Sequence, residues 1–113
     1  VFLTERERVA EVLEALNSVR ARRKAAPLSL DDGLGREAQD LSRRYGKSLA
    51  GQALPRARGL SVLYETAKLS QVPPQLHVHI ASTAYHKAGV LVRPLGDGKG
   101  LSVNFLVVLV LDD

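Results

Sequence analysis

The sequence contains no cysteine, methionine or tryptophan, and only five of its 113 residues are aromatic, three Tyr and two Phe. Without Cys there are no disulfides, no thiolate metal centres and no cysteine nucleophile. The compartment stays open on that evidence, because a disulfide-free chain can serve inside or outside the cell. With so few aromatics, a core has to be assembled from Leu, Val and Ala. Long hydrophobic runs are missing as well: the longest, residues 105–111, is far shorter than the roughly twenty residues a membrane-crossing helix needs. A chain that starts at Val1 and holds no Met reads as a segment of a longer or processed protein, so the absence of a targeting signal here is not evidence for the cytoplasm.

What is present is ordinary globular composition, 45% hydrophobic and 25% charged, which argues against disorder and for one domain over 1–113 with one modest core. The net charge of +4 and pI of about 9.8 would admit nucleic acid or another acidic partner. Most basic side chains fall at predicted helix ends and in loops, where solvated cations are expected in any case.

Thr4 and Glu7 have capping-box spacing, and Val9, Val12, Leu13, Leu16 and Val19 follow on one helical face. Arg20, Arg22, Arg23 and Lys24 crowd the end of that helix. They read as charge complementing exposed carbonyls, with nucleic-acid contact as the alternative, and no aromatic is interleaved for base stacking. Pro27 ends the element, Leu28-Ser29-Leu30 bridges to Asp31 as N-cap, and Leu34, Ala38, Leu41 and Tyr45 stripe a second helix from about Asp32 to Tyr45, with Gly46 to stop it. Residues 47–59 lack periodicity and read as a loop. Residues 60–69 fit either a strand and turn or a helix. Pro73-Pro74 suits the start of a short helix burying Leu76 and Ile80. Ala88, Val90 and Val92 alternate, residues 96–100 supply a turn, and residues 101–111 return as a strand apolar on both faces, hence central in its sheet. The expected class is α/β (α+β): an α-β-α sandwich around a small, mostly antiparallel sheet.

Tested for chemistry, the chain offers little. Gly46-Lys47-Ser48 lacks the glycine and the preceding strand of a phosphate-binding loop, since Leu41 stands in a predicted helix where that glycine belongs. His77 and His79 would converge on one metal in a strand, but in a helix they point about 200° apart. Glu65, within Val62-Leu63-Tyr64-Glu65-Thr66-Ala67, is either a buried carboxyl with site potential or a solvent-facing strand residue. Neither spacing nor composition picks out a catalytic set.

The order of the pieces resembles a known family. Leu16-Asn17-Ser18-Val19-Arg20, then Pro27-Leu28-Ser29-Leu30-Asp31, then Leu34 and Ala38 are similar to the opening of CAP-superfamily domains, the cysteine-rich secretory, antigen 5 and pathogenesis-related (SCP-like) group. Tyr64-Glu65-Thr66-Ala67 resembles the family's Gly-Glu-Asn-Ile segment. Pro73-Pro74 through Ile80, then Tyr85 and Gly89-Val90, resembles its Ser-Pro-x-His helix and following strand, and the last strand falls where the family's central one does. The family's cleft carries two His and two Glu able to hold a divalent metal. Leu41 and Leu76 stand at the two His positions, Glu65 matches one acid, and the other acid belongs to a segment this chain lacks between Thr66 and Pro73. A one-residue shift puts His77 on the second His position. Either way the tetrad is broken, so no metal or other cofactor is carried over, and the family's cleft is reduced to Leu41, Glu65, Leu76 and His77.

The resemblance implies a non-enzymatic binding or assembly module of the short, bacterial type. It would be extracellular or periplasmic after loss of a signal peptide, with a lipid, cell-wall or protein ligand. Two alternatives stand beside it: a basic nucleic-acid-binding domain using the Arg20 to Lys24 cluster, and a purely structural domain of a larger chain.

Overall fold

The computed structural model describes residues 4–45, 52–55, 59–94 and 105–113. Its elements run α1 (Glu5–Arg22), β1 (Ser29–Leu30), α2 (Asp32–Tyr45), β2 (Gln52–Pro55), β3 (Leu60–Thr66), a 3-10 turn (Pro74–Leu76) leading into α3 (His77–Ile80), β4 (Lys87–Pro94) and β5 (Phe105–Asp112).

Helix α1 starts as the sequence predicts. The Thr4 hydroxyl accepts from the Glu7 N–H at 3.2 Å, and the Glu7 carboxylate accepts from the Thr4 N–H at 3.2 Å, so each of two orphan N–H donors is satisfied by the other residue's side chain. It ends in a Schellman closure: the Lys24 N–H bonds the Ala21 carbonyl at 3.1 Å and the Ala25 N–H bonds the Arg20 carbonyl at 2.8 Å. Lys24 takes the left-handed position at φ 62°, where glycine is usual. Asn17 fixes the chain that follows, its side-chain amide donating to the Leu28 carbonyl at 3.4 Å while its carbonyl accepts from the Leu28 N–H at 2.8 Å. The Asp31 carboxylate then caps α2 through the Leu34 N–H at 2.9 Å.

Among the described residues the sheet has strand order β1-β4-β5-β3-β2, with β1–β4 parallel and the other pairs antiparallel. β5 is central, and residues 106–111 are buried on both faces, which is why this stretch lacks polar alternation. Side-chain parity sorts the strands into two layers. Val62 and Tyr64 of β3, Ala88, Val90 and Val92 of β4, and Val107 and Leu109 of β5 face α1 and α3. Leu63, Leu106, Val108 and Val110 face Leu34 and Ala38 of α2. Helices thus cover both faces, and the α-β-α sandwich is the observed architecture.

Two glycines permit close approaches. A Cβ on Gly89 of β4 would overlap the Leu34 carbonyl and the Gly35 nitrogen, so α2 lies with its backbone directly on the strand. Gly59, at φ 85°, turns into β3 where a Cβ would overlap the Leu111 carbonyl.

Three sequence expectations change. The loop expected over residues 47–59 contains β2, whose Gln52–Pro55 pair antiparallel with Leu60–Leu63. Pro55 is tolerated because β2 is an edge strand, and four residues are too few to print a period in the sequence. The undecided stretch 60–69 resolves as β3 followed by a turn. Leu28-Ser29-Leu30, read as a bridge, supplies the two-residue strand β1. Gly46, the Gly46-Lys47-Ser48 tripeptide, the turn at 96–100 and residues 101–104 lie outside the described residues.

Candidate functional site

A concavity of about 1020 Å³ runs beside α1. Val12, Ala15, Leu16 and Val19 point into the core, and the next stripe of the helix, Glu7, Glu11, Glu14, Ser18 and Arg22, forms one wall of the groove. That stripe keeps helical phase, so the face beside the core faces the groove along its whole length. The opposite wall is Thr66, residues 70–74 and His77. There β3 is stopped by Thr66, whose hydroxyl donates to the Lys68 carbonyl at 2.7 Å and accepts from the Lys68 N–H at 3.1 Å, and Pro73-Pro74 then opens the 3-10 turn. The floor is apolar, from Ala15, Val19 and Val72. At the groove's rim the half-buried His77 meets the Val72 carbonyl through Nε2 at 2.9 Å. A carbonyl only accepts, so Nε2 carries the proton and in the neutral ring Nδ1 keeps the lone pair.

The four residues expected to share a cleft do not line one concavity. Leu41 is half-buried against the α2-side cluster, and Leu76 is fully buried in the α1-side cluster across the sheet. Glu65 has the parity of Leu63, so it sits on the α2 face, opposite Leu106 of β5, and is exposed to water. His77 lines the α1 groove without either leucine or Glu65. The apolar letters around Glu65 suggested burial because its neighbours are buried, but β3 has reached the end of its cover at Glu65. His79 is exposed, and the His86 Nδ1 contacts the Asp113 carboxylate at 2.9 Å on the surface. Among the described residues, no group of three or more His, Asp and Glu is close enough to hold a metal ion, and no helix is long and apolar enough to cross a membrane.

The basic cluster is the clearest correction. Arg20 is not solvated at a helix end: it is 1% exposed. Its Nε donates to the Ala26 carbonyl. One Nη donates to Ile80 at 2.8 Å and Ser82 at 2.9 Å, and the other to Tyr85 at 2.9 Å, all carbonyls. Burial pulls its pKa below the usual arginine value. Arg20 therefore ties α1 to the turn between α3 and β4, leaving Arg22, Arg23 and Lys24 as the exposed part of the run. The sequence held a signal for this, since Arg20 follows Leu16 by four residues and so lies in phase with the apolar stripe. In the Leu16-Asn17-x-x-Arg20 pattern, each named side chain has a structural task. Ser42 and Ser61 are buried as well, and Tyr64 is a further polar case: among the described residues its hydroxyl has no hydrogen-bond partner, and burial pushes its pKa well above the usual tyrosine value.

Among solved structures, a cysteine-rich secretory protein from Staphylococcus aureus subsp. aureus Mu50 is similar over 100% of this chain, with a TM-score of 0.57 at 12% sequence identity. This chain spans 40% of the length of that protein. At such identity the likeness is one of fold, a CAP-like arrangement of helices on both sides of the sheet. No family model and no curated protein matches the sequence.

Proposed function

We propose that the chain is a non-enzymatic binding or assembly module of the CAP or SCP-like type, working outside the cytoplasm, with a lipid, cell-wall component or protein as ligand. The observation that carries this reading is the groove along α1: an apolar floor of Ala15, Val19 and Val72 with polar walls on both sides, the make-up of a surface that holds a ligand in place. The CAP-like fold supports the class of module.

The test is an amide-resolved titration with three probes: phospholipid vesicles, soluble peptidoglycan fragments, and the extracellular domain of a neighbouring protein from the same gene cluster. One of them is expected to shift the Ala15, Val72 and His77 resonances, and Ser18→Trp, which fills the groove from an exposed position, is expected to abolish that shift. Hydrolytic turnover by the same chain that disappears in Glu65→Gln overturns the non-enzymatic reading. Binding that survives Ser18→Trp moves the site away from the groove.

A further inference from the structure

Strand β4 has two unequal neighbours. β5 pairs with all of it, from Lys87 to Pro94, whereas β1 pairs only with Lys87 and Ala88. The short β1 ladder identifies the main-chain groups on that side: the Ser29 N–H donates to the His86 carbonyl at 3.0 Å, and the Asp31 N–H to the Ala88 carbonyl at 2.9 Å. Strand periodicity continues this row with the Val90 carbonyl and with the N–H and carbonyl of Val92. Among the described residues, no strand takes up the row beyond Ala88. Pro94, with no N–H, ends it.

A cavity of about 380 Å³ lies at this edge. Its lining comes from both faces of β4, with Val90 on the α1 side and Leu91 on the α2 side, and from both helices, with Glu5 and Val9 of α1 and Arg36 and Gln39 of α2. A hollow that touches both faces of one strand wraps around the strand's edge. Leu30, half exposed at the end of β1, closes one end.

We propose that this slot binds one extended polypeptide strand from another protein, hydrogen-bonded to Val90 and Val92 and held between α1 and α2. Unpaired strand groups are complemented by another extended backbone, and the edge offers room for about four residues at strand rise. A second copy of this chain is disfavoured by shape, because its own β4 edge carries the same two flanking helices, which would meet these. The lining also specifies side chains. One row of the incoming strand would meet Val9, Leu30 and Val90, and the other would meet Asp32 and Gln39. Three carboxylates, Glu5, Asp31 and Asp32, line the slot against the single guanidinium of Arg36. The partner strand thus alternates aliphatic and basic residues. This inference rests on the reading of the chain as a binding module, but it uses a different surface from the α1 groove, so either can fail alone.

The test uses the blocked peptide acetyl-Val-Lys-Val-Lys-Val-amide and the isotope-labelled chain. The expected result is resonance shifts at Val9, Arg36 and Val90 to Val92, with slowed exchange of the Val92 amide at saturation. N-methylation of the peptide at the alternate residues whose N–H groups face β4 is expected to weaken binding by about tenfold or more, and methylation of the intervening residues to leave it unchanged. Equal effects of the two methylation patterns, or no binding up to about 1 mM peptide, overturn the proposal. So does a Val92 amide already protected in the free monomer, which would mean that the chain covers its own edge. A dimer that protects the same amide assigns the edge to a second copy and overturns it equally.

Discussion

The two faces of the sheet are built from the same aliphatic vocabulary and held by different means. On the α1 face a wide cluster gathers side chains from α1, three strands and the segment from Leu69 to Ile80. Among the described residues it tolerates Arg20 and the Tyr64 hydroxyl as polar exceptions. On the α2 face a narrow cluster of Leu, Ala and Val suffices, with the small Ser61 buried opposite Val110 and Ser42 buried on α2, because Gly89 lets the α2 backbone rest on β4. A wide face must bridge distance and uses a long cation to do so. A narrow face removes the distance by removing a side chain.

The strongest way to break the wide face is Arg20→Met. Methionine fills much of the space but leaves the carbonyls of Ala26, Ile80, Ser82 and Tyr85 without their donor. The expected loss in urea unfolding is about 2–4 kcal/mol, since the buried Ile80 acceptor and three part-buried ones lose their donor together. Arg20→Lys should recover only part of this, because an ammonium concentrates its donors at one point where the planar guanidinium reaches four separate carbonyls. Stability unchanged in Arg20→Met would mean that the wide face does not depend on the bridge.

Gly89→Ala probes the narrow face. The atoms a Cβ would meet belong to the backbone of Leu34 and Gly35 and cannot rotate away, so α2 has to lift from the strand at a cost of about 2 kcal/mol. Amide shifts should spread through α2 and Leu91 while α1 and Leu76 stay in place. A variant with wild-type stability and no shift in α2 would show that the two faces are not held differently.

The same contrast explains what the sequence made legible. The caps at Thr4 and Asp31, the stripe of α2 and the two-faced apolar run of β5 are local or periodic signals, and each led to the observed element. β2 was hidden because its only strong signal is its ladder with β3, which lies outside its own four residues. A run of basic letters looks alike whether its members are solvated or folded inward; only the helical phase separates Arg20 from Arg22 and Arg23. At the candidate site, the resemblance supplied positions but not their packing. Leu41 and Leu76 belong to opposite faces once the strands are in place, and Glu65 follows strand parity and the end of cover, not the hydrophobicity of its neighbours. The α1 groove was not foreseen, although the phase of Glu7, Glu11 and Glu14 beside the apolar stripe is its trace in the sequence.

The smallest effect concerns the other polar exception. Tyr64 presents a fully buried hydroxyl with no hydrogen-bond partner among the described residues, so Tyr64→Phe should stabilise the chain by about 1 kcal/mol by deleting an unpaired group without deleting the ring. The variant also carries a pH signature. Burial raises the pKa of Tyr64 in the folded state, so above the ordinary tyrosine value, near pH 10, the unfolded chain releases a proton that the folded chain retains. Stability contributed by the neutral ring is complete below that pH and falls as pH rises through it, since the unfolded state then binds fewer protons than the folded one. In Tyr64→Phe that alkaline slope should become shallower by one proton's worth, while Arg20→Met should keep it. If Tyr64→Phe destabilises the chain and leaves the slope intact, the hydroxyl is satisfied in solution, and the wide face holds one polar exception fewer than its packing indicates.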